Sequence, residues 1–391
     1  MNKEILNPKV QSFIEKNLKT SITKVSLAKS PFKGVSSQEL ATQIKGRKTA
    51  IEKLPTWSAT QGIYYPPSLN LEQASSEGLA RYKAGLVKGK VLVDLTGGFG
   101  VDSYVFSKRF EKVHYCERNA DLAGIASHNF RQLGARNVQV HTGDGMAILE
   151  ELASQGEDID WIYLDPSRRG SGGKRVFRLS EYEPPVAELL PRLFAHSRDV
   201  LLKTAPMLDL TEGINQLGSV REVHIAGMHN EVKELLWWLE KEWTNPPVLI
   251  ATDLKYPSHA LRFTGSEESA CEAVFRMPMK YLYEPNACIL KAGAFKTAAL
   301  QYDLFKLHPS THLYTAPSLV PFPGRRFEIK AVLPYKPGKL PYRKANVSSR
   351  NFPESVAVIR KRNRIKDGGT TYLFFVRCMD DSLCVLETIP A

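Results

Sequence analysis

The sequence predicts an α/β protein: a doubly wound, largely parallel sheet, preceded by a helical region and followed by small α+β domains. Three observations predict it. From residue 90 to about 253, short β-branched runs alternate with helical stretches, which requires crossover connections and parallel strands. Before residue 84, apolar residues recur at three- and four-residue spacing, as on one face of a helix. After about residue 257 the alternation stops, and prolines, tyrosines and short mixed segments take over. At 391 residues more than one core is expected, because single cores stop growing at roughly 250–300 residues.

Taken in order, "ELATQIKGRKTAIEKL" and "LEQASSEGLARYKAGL" read as helices of an N-terminal region, residues 1–84. The aromatic, proline-rich "PTWSATQGIYYPPSLN" between them reads as a shaped loop. Residues 85–256 form the sheet domain, with strands at "KVLVD", "KVHYCE", "VQVHTGD", "DWIYLD", "RDVLLK", "REVHIA" and "PVLIATD". Helices fall between them at "VDSYVFSKRF", "ADLAGIASHNFRQLG", "GMAILEELASQ" and "PVAELLPRLFAH". Residues 257–324 and 325–391 read as two small α+β domains, the second closed by the strand pair "YLFFVRC" and "SLCVLET" across the turn "MDD".

Composition narrows the partners. Lys and Arg outnumber Asp and Glu by 53 to 41, a net +12, which favours a polyanionic partner such as nucleic acid over a soluble basic protein with no such partner. The excess is concentrated: from Arg325 to Lys366 thirteen basic residues face two acidic ones, Glu328 and Glu354. Five cysteines, widely spread and without a CxxC pair, indicate neither a disulfide framework nor a zinc site, so no metal is expected and a reducing cytoplasm fits. The N-terminus lacks the apolar core of a signal peptide and no run approaches a membrane span, so a soluble cytoplasmic protein is expected, with no membrane and no obligate protein partner.

The chemistry-bearing residues lie at strand ends. The first strand runs into "VLVDLTGGFGVDS", which places Asp94 four residues before Gly98 and then Gly100; glycines at a strand-to-helix turn let backbone approach a ligand that a Cβ would block. The loop lacks the third glycine of a dinucleotide fingerprint, where Ser103 stands, and lacks the Gly-Lys-Ser/Thr of a P-loop. The second strand ends at Glu117, 23 residues after Asp94, a further carboxylate at a strand end. The third is followed by "TGDG", whose Asp144 suits either a ligand contact or the N-cap of the next helix. The fourth ends in "DPSRR", residues 165–169, and the fifth in "LLKTAP", which sends Lys203 toward the same edge. The glycine-rich "GSGGKRVFR" beyond it carries Lys174 and Arg175, suited to closing over a polyanion or to lying solvated on the surface.

This succession resembles class I S-adenosylmethionine-dependent methyltransferases, and within them the bacterial group with "DLTGGFGVD" and "DPSRR" motifs and a C-terminal THUMP-like domain. The motif-bearing resemblance covers about residues 66–205, with a weaker one in "NFPESVAVIRKRNRIKDGGTTYLFF". It implies a Rossmann-like seven-stranded methyltransferase sheet, a ferredoxin-like domain over 257–324 and a THUMP-like one over 325–391. It further implies S-adenosyl-L-methionine as cofactor, held by Asp94, Thr96, Gly98, Gly100, Glu117 and Asp144, with Gln73 and Ser76 before the first strand near its methionine end. In relatives with D/N-P-P-Y/F at the fourth strand, the first side chain and the following carbonyl hold a target amine and the aromatic stacks on a flipped base. Here Asp165 and Pro166 are kept, whereas Ser167 and Arg168 replace the second proline and the aromatic, leaving Arg168 to stack on a base or to bind phosphate. Arg169, Lys174, Arg175, Lys203, Arg360, Lys361 and Arg362 are the expected substrate contacts. The expected reaction is methylation of an RNA base nitrogen in tRNA or rRNA. A protein or small-molecule acceptor, or a non-catalytic RNA binder with a vestigial pocket, are the alternatives.

Overall fold

The computed structural model describes residues 1–168, 179 and 182–391, with Arg168 described in its backbone alone. The chain forms two compact units, Met1–Val220 with Leu236–Thr244, and Arg221–Leu235 with Asn245–Ala391.

The first unit opens with helices α1 (Pro8–Lys16), α2 (Ile22–Leu27), α3 (Ser37–Lys53), α4 (Pro55–Ala59), α5 (Ser68–Gln73) and α6 (Glu77–Leu86). Their starts are written in the sequence: Asn7 accepts from the Lys9 N–H ahead of Pro8, and Ser36 with Glu39 makes a reciprocal capping box on α3. The aromatic segment read as a loop is helical at both ends, with "PTWSA" forming α4 and "SLN" opening α5. Two side-chain amides hold the irregular stretch after α4 in place. Gln43 exchanges two hydrogen bonds with the Tyr65 backbone (2.8 and 2.9 Å), and Asn129 does the same with Tyr64 (both 2.9 Å). A buried amide placed in this way satisfies two backbone groups that the irregular loop would otherwise leave without partners.

Strands β1 (Val91–Asp94), β2 (Lys112–Glu117), β3 (Val138–Thr142), β4 (Trp161–Leu164) and β5 (Asp199–Thr204) are parallel, joined by α7 (Val101–Phe106), α8 (Ala120–Gln132), α9 (Gly145–Ser154) and α10 (Val186–Leu193). β1 and β4 are buried at every position, as strands covered on both faces must be. After α11 (Leu210–Leu217) come β6 (Val220–Met228) and β7 (Glu231–Glu240), a hairpin whose two turn residues His229 and Asn230 both have positive φ. With β8 (Val248–Asp253) and β9 (Leu261–Thr264) the sheet order is β9-β8-β6-β7-β5-β4-β1-β2-β3. This is the expected α/β class, with β7 and β9 as the two strands of the nine that the sequence pattern did not reveal.

In the second unit, β10 (Tyr281–Pro285), β11 (Phe305–His308), β12 (Thr311–Ala316), β13 (Gly324–Pro334), β14 (Asn346–Arg350), β15 (Tyr372–Arg377) and β16 (Leu383–Pro390) form a seven-stranded sheet in the order β11-β12-β10-β13-β16-β15-β14. Helices α12 (Gly265–Ala270), α13 (Ala287–Ala292), α14 (Phe295–Gln301) and α15 (Val356–Asn363) accompany it. Alternate residues of β15 feed two cores: Phe374 and Val376 join Leu282 and Phe327, while Leu373 and Phe375 join Ile359 and Ile365. Among the described residues no helix is long and apolar enough to cross a membrane.

Candidate functional site

Parallel strands bring their carboxyl ends to one edge, and the register fixes which side chains meet there. Asp94 is opposite Tyr163 of β4, Leu164 is opposite Leu202 of β5, and Glu117 is opposite Thr142 of β3. Asp94, Glu117, Asp144, Asp165 and Lys203 therefore share the edge where ligands bind in open α/β sheets.

Asp94 is wholly buried. Its carboxylate accepts from the Thr96 N–H (3.0 Å) and from the Ser103 hydroxyl, which ties both ends of the glycine loop to the end of β1. Burial pushes its carboxyl up to about 7 against those two hydrogen bonds. The loop is pressed flat on its inner side: a Cβ at Gly97 would lie 2.2 Å from the Tyr115 ring, and one at Gly100 2.6 Å from Phe130. Gly98, at φ +56°, has open space around it, with the Thr96 carbonyl 3.8 Å from an added Cβ as its one neighbour. Glu117 reaches under this loop, one oxygen accepting the Gly98 N–H (2.9 Å) and the other the Asn119 N–H (2.8 Å). Each oxygen keeps a lone pair.

Asp144 is committed otherwise. It caps α9 through Met146 and Ala147 and pairs with Arg118; burial works to raise its carboxyl, but those bonds outweigh it and hold it below the usual range. Thr96 joins two strand ends, since its Oγ1 accepts the Asp165 N–H at 2.6 Å. Asp165 Oδ2 meets the Lys203 ammonium. Of the segment before β1, Gln73 is exposed at the end of α5 and Ser76 caps α6, while Ser75 between them is buried and donates to Asp102 (2.9 Å). Asp102 also accepts from the Tyr163 hydroxyl (2.9 Å) and faces the fully buried Lys83 at 3.1 Å. Burial works to raise the Asp102 carboxyl, and the positive charges of Lys83 and Lys203 override it and hold it low. Arg169, Lys174 and Arg175 lie outside the described residues, as does the side chain of Arg168.

Sequence reasoning passed over Lys83, Asp102, Tyr163 and Gly97. Asp102 stands inside the glycine-loop segment, so an acidic residue in the first turn of the helix was a visible signal. Lys83 carried none, being one lysine of a helical stretch.

The basic segment is partly neutralised. Arg325 and Arg350 both pair with the buried Glu284, Arg360 with Asp367 and Arg362 with Glu354. Lys336, Lys339, Arg343, Lys344, Lys361, Arg364 and Lys366 are exposed and form no ion pair among the described residues. Backbone contacts gather them: Lys344 bridges Lys366, the Lys366 N–H donates to the Arg343 carbonyl (2.9 Å), and the Gly338 N–H donates to Asn363 Oδ1 (2.9 Å) at the end of α15.

The comparisons with known proteins fit this architecture. A crystal structure from Porphyromonas gingivalis W83, assigned as a methyltransferase, aligns with 100% of this chain and 98% of its own at TM-score 0.86 and 32% identity. The chain belongs to this methyltransferase family. An uncharacterised S-adenosylmethionine-dependent methyltransferase of Mycobacterium tuberculosis is 24% identical over 293 residues, 74% of this chain and 75% of that protein. A ferredoxin-like domain family matches residues 281–323 and a THUMP domain-like family residues 324–387. The tRNA (guanine(26)-N(2))-dimethyltransferase of Saccharolobus islandicus is 27% identical over 109 residues, 27% of each chain. The methyltransferase uses S-adenosylmethionine, and the β1 edge fits it. Gly98 leaves room for close backbone approach, and the Glu117 oxygens retain lone pairs for two hydroxyl donors.

Proposed function

We propose that this methyltransferase methylates a nitrogen of an RNA base, in tRNA or rRNA. The observation that carries the reading is the face of unpaired cations around the turn 336–344 and the end of α15, because a polyphosphate backbone is the partner that gains most from many solvated positive charges. The THUMP domain-like match over the same residues and the tRNA-modifying name of one relative support it independently.

In this reading the bound cofactor supplies a methyl group on a sulfonium, already a good leaving group, so alignment contributes most of the catalysis. Glu117 holds the ribose hydroxyls and Gly98 admits the cofactor against the loop. Asp94 acts one step removed, by fixing Thr96 and Ser103. Asp165 and the Pro166 carbonyl orient the acceptor nitrogen, while Arg168 and Arg169 steer base or phosphate. Asp144 reaches adenine only by sharing its carboxylate with Arg118.

The test is label transfer from S-adenosylmethionine to separated RNA, protein and small-molecule fractions of cells lacking the gene. Label in RNA is expected; label confined to protein or small molecules overturns the reading. Replacing Lys339, Arg343, Lys344 and Arg364 together by Gln is expected to reduce the slope of log affinity against log salt for total tRNA by roughly 3. An unchanged slope removes that face from the binding surface.

A further inference from the structure

Lys203 was expected to contact substrate. Its surroundings point to a different task, set by the register of β4 and β5. Leu164 of β4 pairs with Leu202 of β5, so the next residues, Asp165 and Lys203, leave the sheet side by side. Their side chains meet at Asp165 Oδ2. Lys203 is the deeper partner, with 12% of its side chain exposed against 33% for Asp165. The negative charge of Asp102 interacts with that of Lys203, and Asp102 is itself held by Lys83, Ser75 and Tyr163. The Asp165 N–H is anchored on Thr96 Oγ1. The Asp165 carboxylate is thus fixed at its backbone and at one oxygen, and Oδ1 has no hydrogen-bond partner among the described residues.

We propose that Lys203 is a positioning residue: by pinning Oδ2 it presents Asp165 Oδ1 as a single oriented acceptor, which selects a substrate nitrogen bearing at least one hydrogen. The inference rests on the reading that Asp165 faces the acceptor. It deepens that reading by naming an N–H nitrogen as the substrate class, and excludes a carbon or a fully substituted nitrogen. Transfer forms a nitrogen–methyl bond and breaks a sulfur–methyl bond whose electron pair stays on sulfur; the proton lost from nitrogen passes to Oδ1 and from there to water. A second consequence is electrostatic. Lys203 cancels the charge of Asp165, which unpaired would attract the sulfonium of the cofactor and hold it in an unproductive ion pair.

That consequence gives a readout independent of the acceptor. Calorimetric titration of the full chain with S-adenosylmethionine and with S-adenosylhomocysteine compares a cation-bearing ligand with one lacking the sulfonium charge. Lys203→Met is expected to shift the affinity ratio toward S-adenosylmethionine by about tenfold, and Lys203→Arg to leave it unchanged. With total RNA from cells lacking the gene as acceptor, Lys203→Met is expected to lower the transfer rate at saturation by about 100-fold with KM for RNA unchanged, and Lys203→Arg to restore most of it.

An unchanged ligand ratio in Lys203→Met overturns the proposal. So does a loss of rate that appears wholly as a raised KM for RNA, which would make Lys203 a phosphate contact. If Lys203→Met does not fold, Lys203→Gln carries the same readouts. If the wild-type protein labels no RNA, the RNA reading fails, while the ligand ratio still decides the role of Lys203.

Discussion

Among the described residues two lysines are almost completely out of water, one in each unit, and they are treated differently. Lys83 on α6 has no exposed surface, and its ammonium meets the Ser75 hydroxyl at 2.7 Å and Asp102 at 3.1 Å. Lys306 on β11 is 1% exposed, and its ammonium has no hydrogen-bond partner among the described residues. It lies over the rings of Phe295 at 5.4 Å and Tyr314 at 5.6 Å. Burial lowers Lys306 to about 8, with Glu268 opposing the fall. Charge is organised around Lys83 and merely tolerated at Lys306. A buried cation paired with a buried carboxylate orders the groups around it, here Ser75, Tyr163 and Asp102, whose charge acts on Lys203. A buried cation supported mainly by aromatic faces retains much of its desolvation cost.

The largest test breaks the first network. Lys83→Met leaves Asp102 facing Ser75 and Tyr163 without its nearest cation, and is expected to cost roughly 3–5 kcal/mol of unfolding free energy in urea. Lys83→Met with Asp102→Leu is expected to recover most of that loss, since no uncompensated charge then remains. A loss that persists in the double variant would mean that the pair contributes through packing and not through charge.

A smaller effect of opposite sign is expected at Lys306. A base whose folded pKa is lowered from 10.5 to about 8 contributes stability that is present above 10.5 and lost as the pH falls through 8. At pH 7 the charged form therefore destabilises the fold. Lys306→Met is expected to raise stability there by roughly 1–3 kcal/mol, with the gain shrinking as the pH is raised toward 10. Urea midpoints of both proteins at pH 7 and pH 10 check it; a destabilised variant at pH 7 would show that the aromatic contacts outweigh desolvation.

The contrast also marks what the sequence could reveal. Strands β1, β2, β4 and β5 were legible because a β-branched run covered on both faces has few other meanings. β7 was hidden because "EVKELLWWLE" mixes helix-favouring Glu, Lys and Leu without a two-residue alternation, and its turn is His-Asn instead of Asn-Gly. Carboxylates at strand ends could be listed in order, since each follows its strand directly. That Asp144 would spend its oxygens on α9 and Arg118 was left open by the sequence, because a Gly-Asp-Gly string serves a cap and a ligand equally. The network of Lys83, Ser75, Asp102 and Tyr163 depends on the packing of α6 beside α7, which no local motif encodes. The same holds for Glu284, which neutralises Arg325 and Arg350 from 41 and 66 residues away.

Asp94 is the acidic counterpart of these lysines, with a smaller expected effect at neutral pH. It is as buried as Lys83, yet its partners are neutral donors, Ser103 and the Thr96 N–H. Desolvation therefore dominates, with Asp102 and Asp165 adding repulsion, and its folded pKa stands near 7 against 3.8. A raised folded pKa means stability that is fully present below 3.8 and lost as the pH rises through 7. Asp94→Asn keeps the shape and removes the titration, so urea midpoints of the variant are expected to stay flat between pH 4 and 7 where those of the wild type fall. Parallel slopes would mean that water or a cation reaches this carboxylate and stabilises its charge. In that case the glycine loop would be held by an ionised Asp94, and Asp94→Asn would weaken S-adenosylmethionine binding more above pH 7 than below it.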